Sequence, residues 1–337
     1  MRRRGLLLAL LVLLVVATLG LVVYLHRSGP PAAVRLLPEA DAIVYANLGR
    51  IRLLAPGQAL ADVVREPAYA DFVAQTSFQF ERDLEEAALA VHLPKTAGSS
   101  SPGDASAAEP RYSSVFVARF NSVRLIAYLK KLSQGRAVER YRDLDIFHIP
   151  VEDRLVRVAI LSVDTVAVSN YPGEDPIHYM VDRYKEGASP SPKRSLVRNY
   201  YQHVPLGSLI WAIGRYVPGQ SSLPGEGPPL GTPVAATWVA SARYTGSLHL
   251  RFEAFTAGEP DATKLHEQAA ALLGMYRAFQ SAANRPSSDP DVKALLDSIE
   301  VAQQRERVVF TATVPVGFIE KALAEPPKPA AVPEKAP

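Results

Sequence analysis

The densest set of chemically able side chains is Arg142-Asp143-Leu144-Asp145-Ile146-Phe147-His148. Two carboxylates and an imidazole so close together would suit a metal site or an acid–base pair. The run reads as a strand, however, and alternation then puts Asp143 and Asp145 on one face and His148 on the other. One strand cannot bring all three to a common ion. The plainer reading is turn aspartates followed by a histidine on a strand face. Asp175-Pro176-Ile177-His178 is a second acid–imidazole pair, but an aspartate before a proline reads as a helix cap.

His203 beside Tyr200 and Tyr201 would suit a pocket wall, and Trp211, Tyr216 and Trp238 gather further aromatics in the same half. Aromatic clusters fill cores more often than they bind sugar or lipid. His148, His203, Tyr200, Trp211 and Trp238 are therefore the pocket candidates, and no residue is assigned a catalytic, cofactor or metal role. There is no G-x-S-x-G elbow, no Walker loop and no H-E-x-x-H. His266-Glu267 begins like the last of these, but Ala270 stands where the second histidine must be. Ser208 has no base or orienting acid within its own stretch of sequence. Gly225-Glu226-Gly227 lies in a Pro/Gly-rich loop and reads as a turn. The chain has no cysteine, which excludes disulfides, thiol nucleophiles, Cys-based metal sites and a lipidated cysteine.

The stretch that decides where these groups work is the run from Gly5 to Leu25, 21 residues without a charge. At about 1.5 Å per residue a helix of that length matches the hydrocarbon core of a bilayer, roughly 30 Å. Arg2, Arg3 and Arg4 precede it, so the positive-inside rule puts Met1 in the cytoplasm and the bulk of the chain outside. The apolar core is longer than a cleaved signal needs, and Leu25-His26-Arg27-Ser28 is a poor cleavage site. The expectation is a single-pass protein of the inner (cytoplasmic) membrane whose partner through Gly5–Leu25 is the lipid bilayer. The formal charge of +3 follows from this anchor. Residues 1–27 hold four arginines and no acid, leaving 33 basic against 34 acidic residues. No nucleic-acid footprint is present, since that needs basic residues clustered on one face.

Beyond a tether at 28–35, patterning predicts two α+β halves, 36–187 and 191–324, then a Pro/Ala/Lys tail at 325–337. Strands are expected over 42–48, 115–120, 144–150, 155–161, 166–169, 208–213, 234–244, 247–255, 299–303 and 308–314. Helices are expected over 67–76, 80–91, 123–132, 176–185, 195–203, 261–280, 292–298 and 316–324. Residues 94–111 and 217–233 are Ser-, Gly- and Pro-rich and read as loops. In 247–255, Leu248, Leu250, Phe252 and Ala254 alternate with His249, Arg251 and Glu253, as in a strand buried on its apolar side. The strands come in hairpins, so the fold class is α+β with largely antiparallel sheets and packed helices. Leu37-Pro38 before one strand and Val204-Pro205 before another, each followed by an arginine (Arg50, Arg215), suggest two similar halves.

Leu37-Pro38-Glu39-Ala40-Asp41-Ala42, the Phe80-Glu81-Arg82-Asp83-Leu84 segment and Thr165-Val166-Ala167-Val168-Ser169-Asn170 carry a resemblance. The chain resembles bacterial membrane-anchored proteins of unknown function in which an LPxDA segment opens an extracytoplasmic α+β region. The resemblance implies location and architecture, and it transfers no site residue.

These features together point to a membrane-anchored envelope protein whose outer region is a non-enzymatic interaction or scaffold module for an envelope protein partner. Two rivals remain. A carrier for a lipid or other apolar ligand predicts an apolar pocket of several hundred Å³. A hydrolase predicts at least two convergent polar groups, such as His148 or His203 with an acid, in a cleft.

Overall fold

The structure, a computed structural model, describes residues 29–54, 67–94, 110–187, 195–218, 234–282 and 290–324. The expected anchor, most of the two Pro/Gly-rich loops and the tail lie outside the described residues. Among the described residues no helix is long and apolar enough to cross a membrane.

The first half runs α1 (Ala32–Leu36), β1 (Ala42–Asn47), α2 (Leu48–Leu54), α3 (Pro67–Thr76), α4 (Phe80–Asp83), β2 (Leu84–His92) and β3 (Arg111–Ala118). It continues with α5 (Ser122–Leu132), β4 (Glu139–Tyr141), β5 (Leu144–Val151), β6 (Arg154–Ile160), β7 (Thr165–Ser169) and α6 (Asp175–Lys185). The second half runs α7 (Leu196–Tyr200), a 3₁₀ turn (Tyr201–His203), β8 (Ile210–Tyr216), β9 (Ala236–Tyr244), β10 (Leu248–Thr256) and α8 (Glu259–Ala282). It ends with α9 (Pro290–Asp297), β11 (Glu300–Gln304), β12 (Arg307–Val314) and α10 (Val316–Ala324). Asn121 caps α5 as its sequence suggests, its side chain accepting from the Arg124 N–H.

The strands form one twelve-stranded sheet in the order β11-β12-β10-β9-β8-β1-β2-β3-β7-β6-β5-β4. Every neighbouring pair is antiparallel. The two halves meet in the middle, where β1 pairs with β2 on one side and β8 on the other, Val44 opposite Ala212. Outward from that seam each flank begins as a three-strand meander; beyond it stand β7, β6, β5 and β4 on one side and β12 and β11 on the other. The 188–194 break in composition therefore does not divide the sheet.

Two expectations are overturned. Part of the expected tether at 28–35 is helix α1, whose Ala33 and Val34 are buried in the core, because its apolar residues meet the sheet. Residues 84–91, read as helix from the Phe80–Leu84–Ala88–Val91 spacing, form β2 after a single turn at Phe80–Asp83. Ala and Glu favour helices locally, but β2 has ladder partners on both sides, β1 and β3. Tertiary pairing overrides a propensity of a few tenths of a kcal/mol per residue. Phe80, expected in the core, is exposed, and Glu86, expected in solvent, is half-buried. Strand β4 was not anticipated, because three residues carry too little periodicity.

Alternation gives the sheet two faces. On the α1 face, helices α1, α6 and α7 cover Ile43, Tyr45, Ala88, Val115, Ala167, Trp211 and Ile213, so one core spans both halves. On the opposite face, called here the α8 face, α5 places Leu125 and Leu129 against Phe147, Val158 and Val166. At the other end of that face α8 places Ala262 and Leu265 against Ala254 and Val308. Between these two coverings Val44, Leu89, Ala212 and Ala240 remain only half-buried.

Candidate functional site

The gap on the α8 face begins where α8 stops covering the sheet. Leu265 and Ala269 are buried, as their helical spacing predicts, but Leu272, Met275 and Tyr276, one to two turns on, are 41%, 66% and 45% exposed. The neighbouring rows of β8, β9, β10 and β12 form an apolar groove of about 380 Å³, lined chiefly by Ile210, Ala212, Ala240, Leu250, Phe252 and Phe310. Alanines at the middle of the floor give it depth. Ile210 and Leu250 remain exposed. Ser241, Arg251 and Thr311 flank the groove, but strand alternation directs their side chains to the other face. Val44 and Leu89 continue the floor toward the central seam. Such a surface offers area and dispersion and no directed charge.

The alternation of β10 thus meets the sequence expectation at Ala254, which is buried, and departs from it at Leu250 and Glu253. Its apolar Leu250 is exposed, while Glu253, expected on the solvent side, is 2% exposed. Glu253 accepts from Arg251 Nε at 2.6 Å and Arg307 Nη1 at 2.9 Å, with His203 Nδ1 at 3.9 Å. Burial pushes the His203 imidazole below its ordinary value, against the pull of Glu253. The ring packs on Phe255 at 4.6 Å, and Tyr200 packs on the same ring at 5.2 Å. His203 and Tyr200 therefore wall a satisfied ionic core.

Trp211 lies behind the groove floor, 2% exposed, with Tyr45 and Tyr201 at ring distances of 5.5 and 5.3 Å. These three, with Asn47, Arg50 and Glu86, line a polar pocket of about 270 Å³ on the α1 face. Asn47 donates to the Tyr45 hydroxyl at 3.2 Å. Burial, and then the charge of Glu86, push the Tyr45 phenol far above its usual range, and burial raises the Glu86 carboxyl. The pocket holds neutral tyrosines beside a poorly solvated carboxyl. Ser208 at its rim donates its hydroxyl to the Pro205 carbonyl at 2.7 Å.

Trp238 faces the other way, on the α8 face, stacked with Phe252 at 6.1 Å beside the groove. His148 is remote from all of these. Its Nε2 is 3.1 Å from Glu139 Oε2, and the other Glu139 oxygen is 2.5 Å from His178 Nε2. The five pocket candidates therefore fall in four places: His148 at the far sheet edge, Tyr200 and His203 at the ionic core, Trp211 in the polar pocket and Trp238 by the groove. Asp143 sits in a turn at φ +64°, and Asp145 pairs with Arg140 at 3.0 Å, so neither reaches His148's partners. The possible metal ligands that do come together are Glu139, Glu174 and His178, whose donor atoms lie within 4.8 Å of one another. Glu174, not Asp175, holds the N-cap position of α6, and its side chain makes no capping hydrogen bond. Glu174 and His178 stand four apart, a spacing visible in the sequence once α6 is extended by one residue.

No family model matches the chain, and a search of the curated proteins gives no match. Among solved structures it is similar to crystal forms IV, I and III of TP0453. These are each 10% identical, with TM-scores of 0.44, 0.40 and 0.45. Each alignment covers 87% of this chain and 95%, 96% and 98% of theirs. A likeness at that level assigns no function.

Proposed function

We propose that this chain is an N-terminally anchored envelope protein whose outer region is a non-enzymatic binding module, with the α8-face groove as its site for an apolar chain. The observation that carries the reading is the groove itself: about 380 Å³, with chiefly apolar side chains facing it. Small-ligand sites usually hold roughly 300–1,000 Å³. Each methylene taken from water into such a site contributes about 0.8 kcal/mol. The greasy run from Gly5 to Leu25 supports placing this groove close to a membrane, where acyl chains are at hand. In both flanks the third strand of a meander pairs on its far side with a later strand, β7 or β12, which supports reading them as related units of unequal size. A hydrolase reading gains less. His148 and His203 each have an acid near, but Ser208, at the rim of the polar pocket, is engaged with a backbone carbonyl.

The test is photolabelling of the full-length chain in native membranes with a photoactivatable fatty acid, followed by peptide mapping. Labelled peptides containing 210–212 and 248–252 are expected. Label confined to 5–25 would mean contact with bulk lipid only and would overturn the groove assignment. Alkaline carbonate should leave the chain in the membrane fraction, and its release would overturn the anchor.

A further inference from the structure

At the far end of the sheet from the groove, β4 is a three-residue edge strand with a ladder partner on one side, β5. Glu139 opens it. Helix α6 passes beside it, and Glu174 and His178 are one helical turn apart there, the His178 N–H donating to the Glu174 carbonyl at 3.0 Å. The i, i+4 spacing puts both side chains on one helix face. Glu139 meets them with its Oε1 at 2.5 Å from His178 Nε2, and its Oε2 at 3.1 Å from His148 Nε2 on β5. Two carboxylates and two imidazoles from three elements converge here. The donor atoms of Glu139, Glu174 and His178 lie mutually within 4.8 Å.

We propose that Glu139, Glu174 and His178 bind a divalent transition metal, zinc in the first instance, with His148 orienting Glu139 through its second oxygen. The donor chemistry fits. Zinc takes imidazole nitrogen and carboxylate oxygen at about 2.0–2.2 Å, and three protein ligands leave a fourth position for water. Neighbouring donors of a tetrahedral ion at those lengths sit roughly 3.4 Å apart. To reach that, Glu139 and His178 must open from 2.5 Å, and separations of up to 4.8 Å must close, by side-chain movements. Two carboxylates balance the charge of the ion, and the cations of the same hairpin are committed elsewhere. Arg140 pairs with Asp145 at 3.0 Å and Arg142 with Asp182 at 2.7 Å.

The surroundings hold the ligands in place. The Tyr141 ring lies flat on the His178 imidazole, centroids 3.9 Å apart and planes 8° from parallel. Its hydroxyl donates to Asp182, one turn further along α6, at 3.0 Å. The segment that leads into Glu174 is fixed by the buried Arg157, which donates to the carbonyls of Tyr171 at 2.8 Å and Pro172 at 3.2 Å. Hydrogen-bond partners of this kind keep metal ligands oriented, and losing one costs about 10–100-fold in affinity. The ion would tie to a helix a strand that has, among the described residues, a ladder partner on one side alone.

The experiment is cobalt and zinc titration of the full-length chain in detergent, made without a polyhistidine tag and stripped with chelator. Cobalt absorption reports the ligand field, zinc competition gives affinity, and thermal melting gives the link to the fold. One equivalent per chain is expected, displaced by zinc, with zinc raising the melting temperature. Glu174→Gln, at an exposed position, should keep the fold and weaken binding at least tenfold. His178→Ala should abolish the cobalt spectrum, and His148→Ala should weaken binding about tenfold while keeping it. Absence of saturable binding in the unmodified chain, or equal affinity in Glu174→Gln and His178→Ala, would overturn the proposal and leave a plain ionic cluster.

Discussion

The indole of Trp238 occupies the space in which a side chain on Gly214 would begin. A Cβ on that glycine would meet Cζ2 at 2.5 Å and Cε2 at 2.7 Å, with the Ala42 Cβ at 3.0 Å. The two residues are cross-strand partners in β8 and β9. The need for glycine here is one of room, since this position is not among the glycines with positive φ. The open pocket lets the indole lie down toward Phe252 and finish one wall of the groove region. Gly214→Ala should therefore destabilise the chain by about 1–3 kcal/mol, the usual cost of overpacking. Trp238→Ala in the same chain should remove most of the penalty. Urea unfolding of both single variants and the double variant measures the coupling, and simple additivity would show that the indole is not what excludes the side chain.

Filling the groove should block it without harming the fold. Ala240→Trp puts a large ring on the floor between Ala212 and Phe252. Acyl photolabelling at 248–252 should drop at least tenfold while the melting temperature moves by only a few degrees, about what 1 kcal/mol produces in a chain this size.

Glu253 is the most buried acid described, and two guanidinium groups depend on it. Removing one partner of a buried ion pair typically costs 3–5 kcal/mol. Arg251 and Arg307 are partly exposed and can recover some hydration, so Glu253→Ala should cost about 2–3 kcal/mol. Denaturant titration checks this. A loss below about 0.5 kcal/mol would place the pair among ordinary surface bridges.

Glu86 on one hand, and His92 and His203 on the other, should give stability opposite dependences on pH. The folded chain holds the Glu86 carboxyl above its ordinary value of 4.5, through burial. A raised group favours the fold while protonated, so its contribution is present below 4.5 and is lost as pH rises through the folded value. Glu86→Gln should then stabilise the chain at pH 7 and leave it unchanged near or below about pH 4. Burial lowers His92 and His203 from 6.5. For these the unfolded state takes up protons first, so stability falls as pH drops below 6.5. Chemical unfolding between pH 5 and 7 should show that slope, and His92→Gln should flatten part of it.

Much of the fold is legible in the residues because most elements announce themselves locally. The Asn121 cap, the helix that carries Leu125 and Leu129, and the β9–β10 hairpin all survive in the structure. Residues 84–91 did not, because what makes them a strand is β1 and β3 on either side, and no local pattern records that. The site was less legible for a related reason. His148 stood out, but its partner Glu139 lies on a strand too short to show, and His178 belongs to a helix that only the fold brings alongside. Trp211 and Trp238, close in composition, are sent to opposite faces by strand parity. Glu253 of β10 looked wet and is dry, because Tyr200 and His203 lie beside it, while α8 covers Ala254 on the other side and leaves Leu250 open.

The central seam sets an order of events for the newly made chain. β1 is among the first strands to appear, yet its second neighbour, β8, begins more than 160 residues later. Until then Ala42–Asn47 carries bare amides and carbonyls along one side, flanked by apolar residues, in the manner that invites pairing with a foreign chain. Contacts so distant along the polypeptide form slowly. The nascent protein thus has its greatest vulnerability at the place that later becomes its most enclosed, and conditions that delay β8 should send it toward aggregation before any peripheral strand matters.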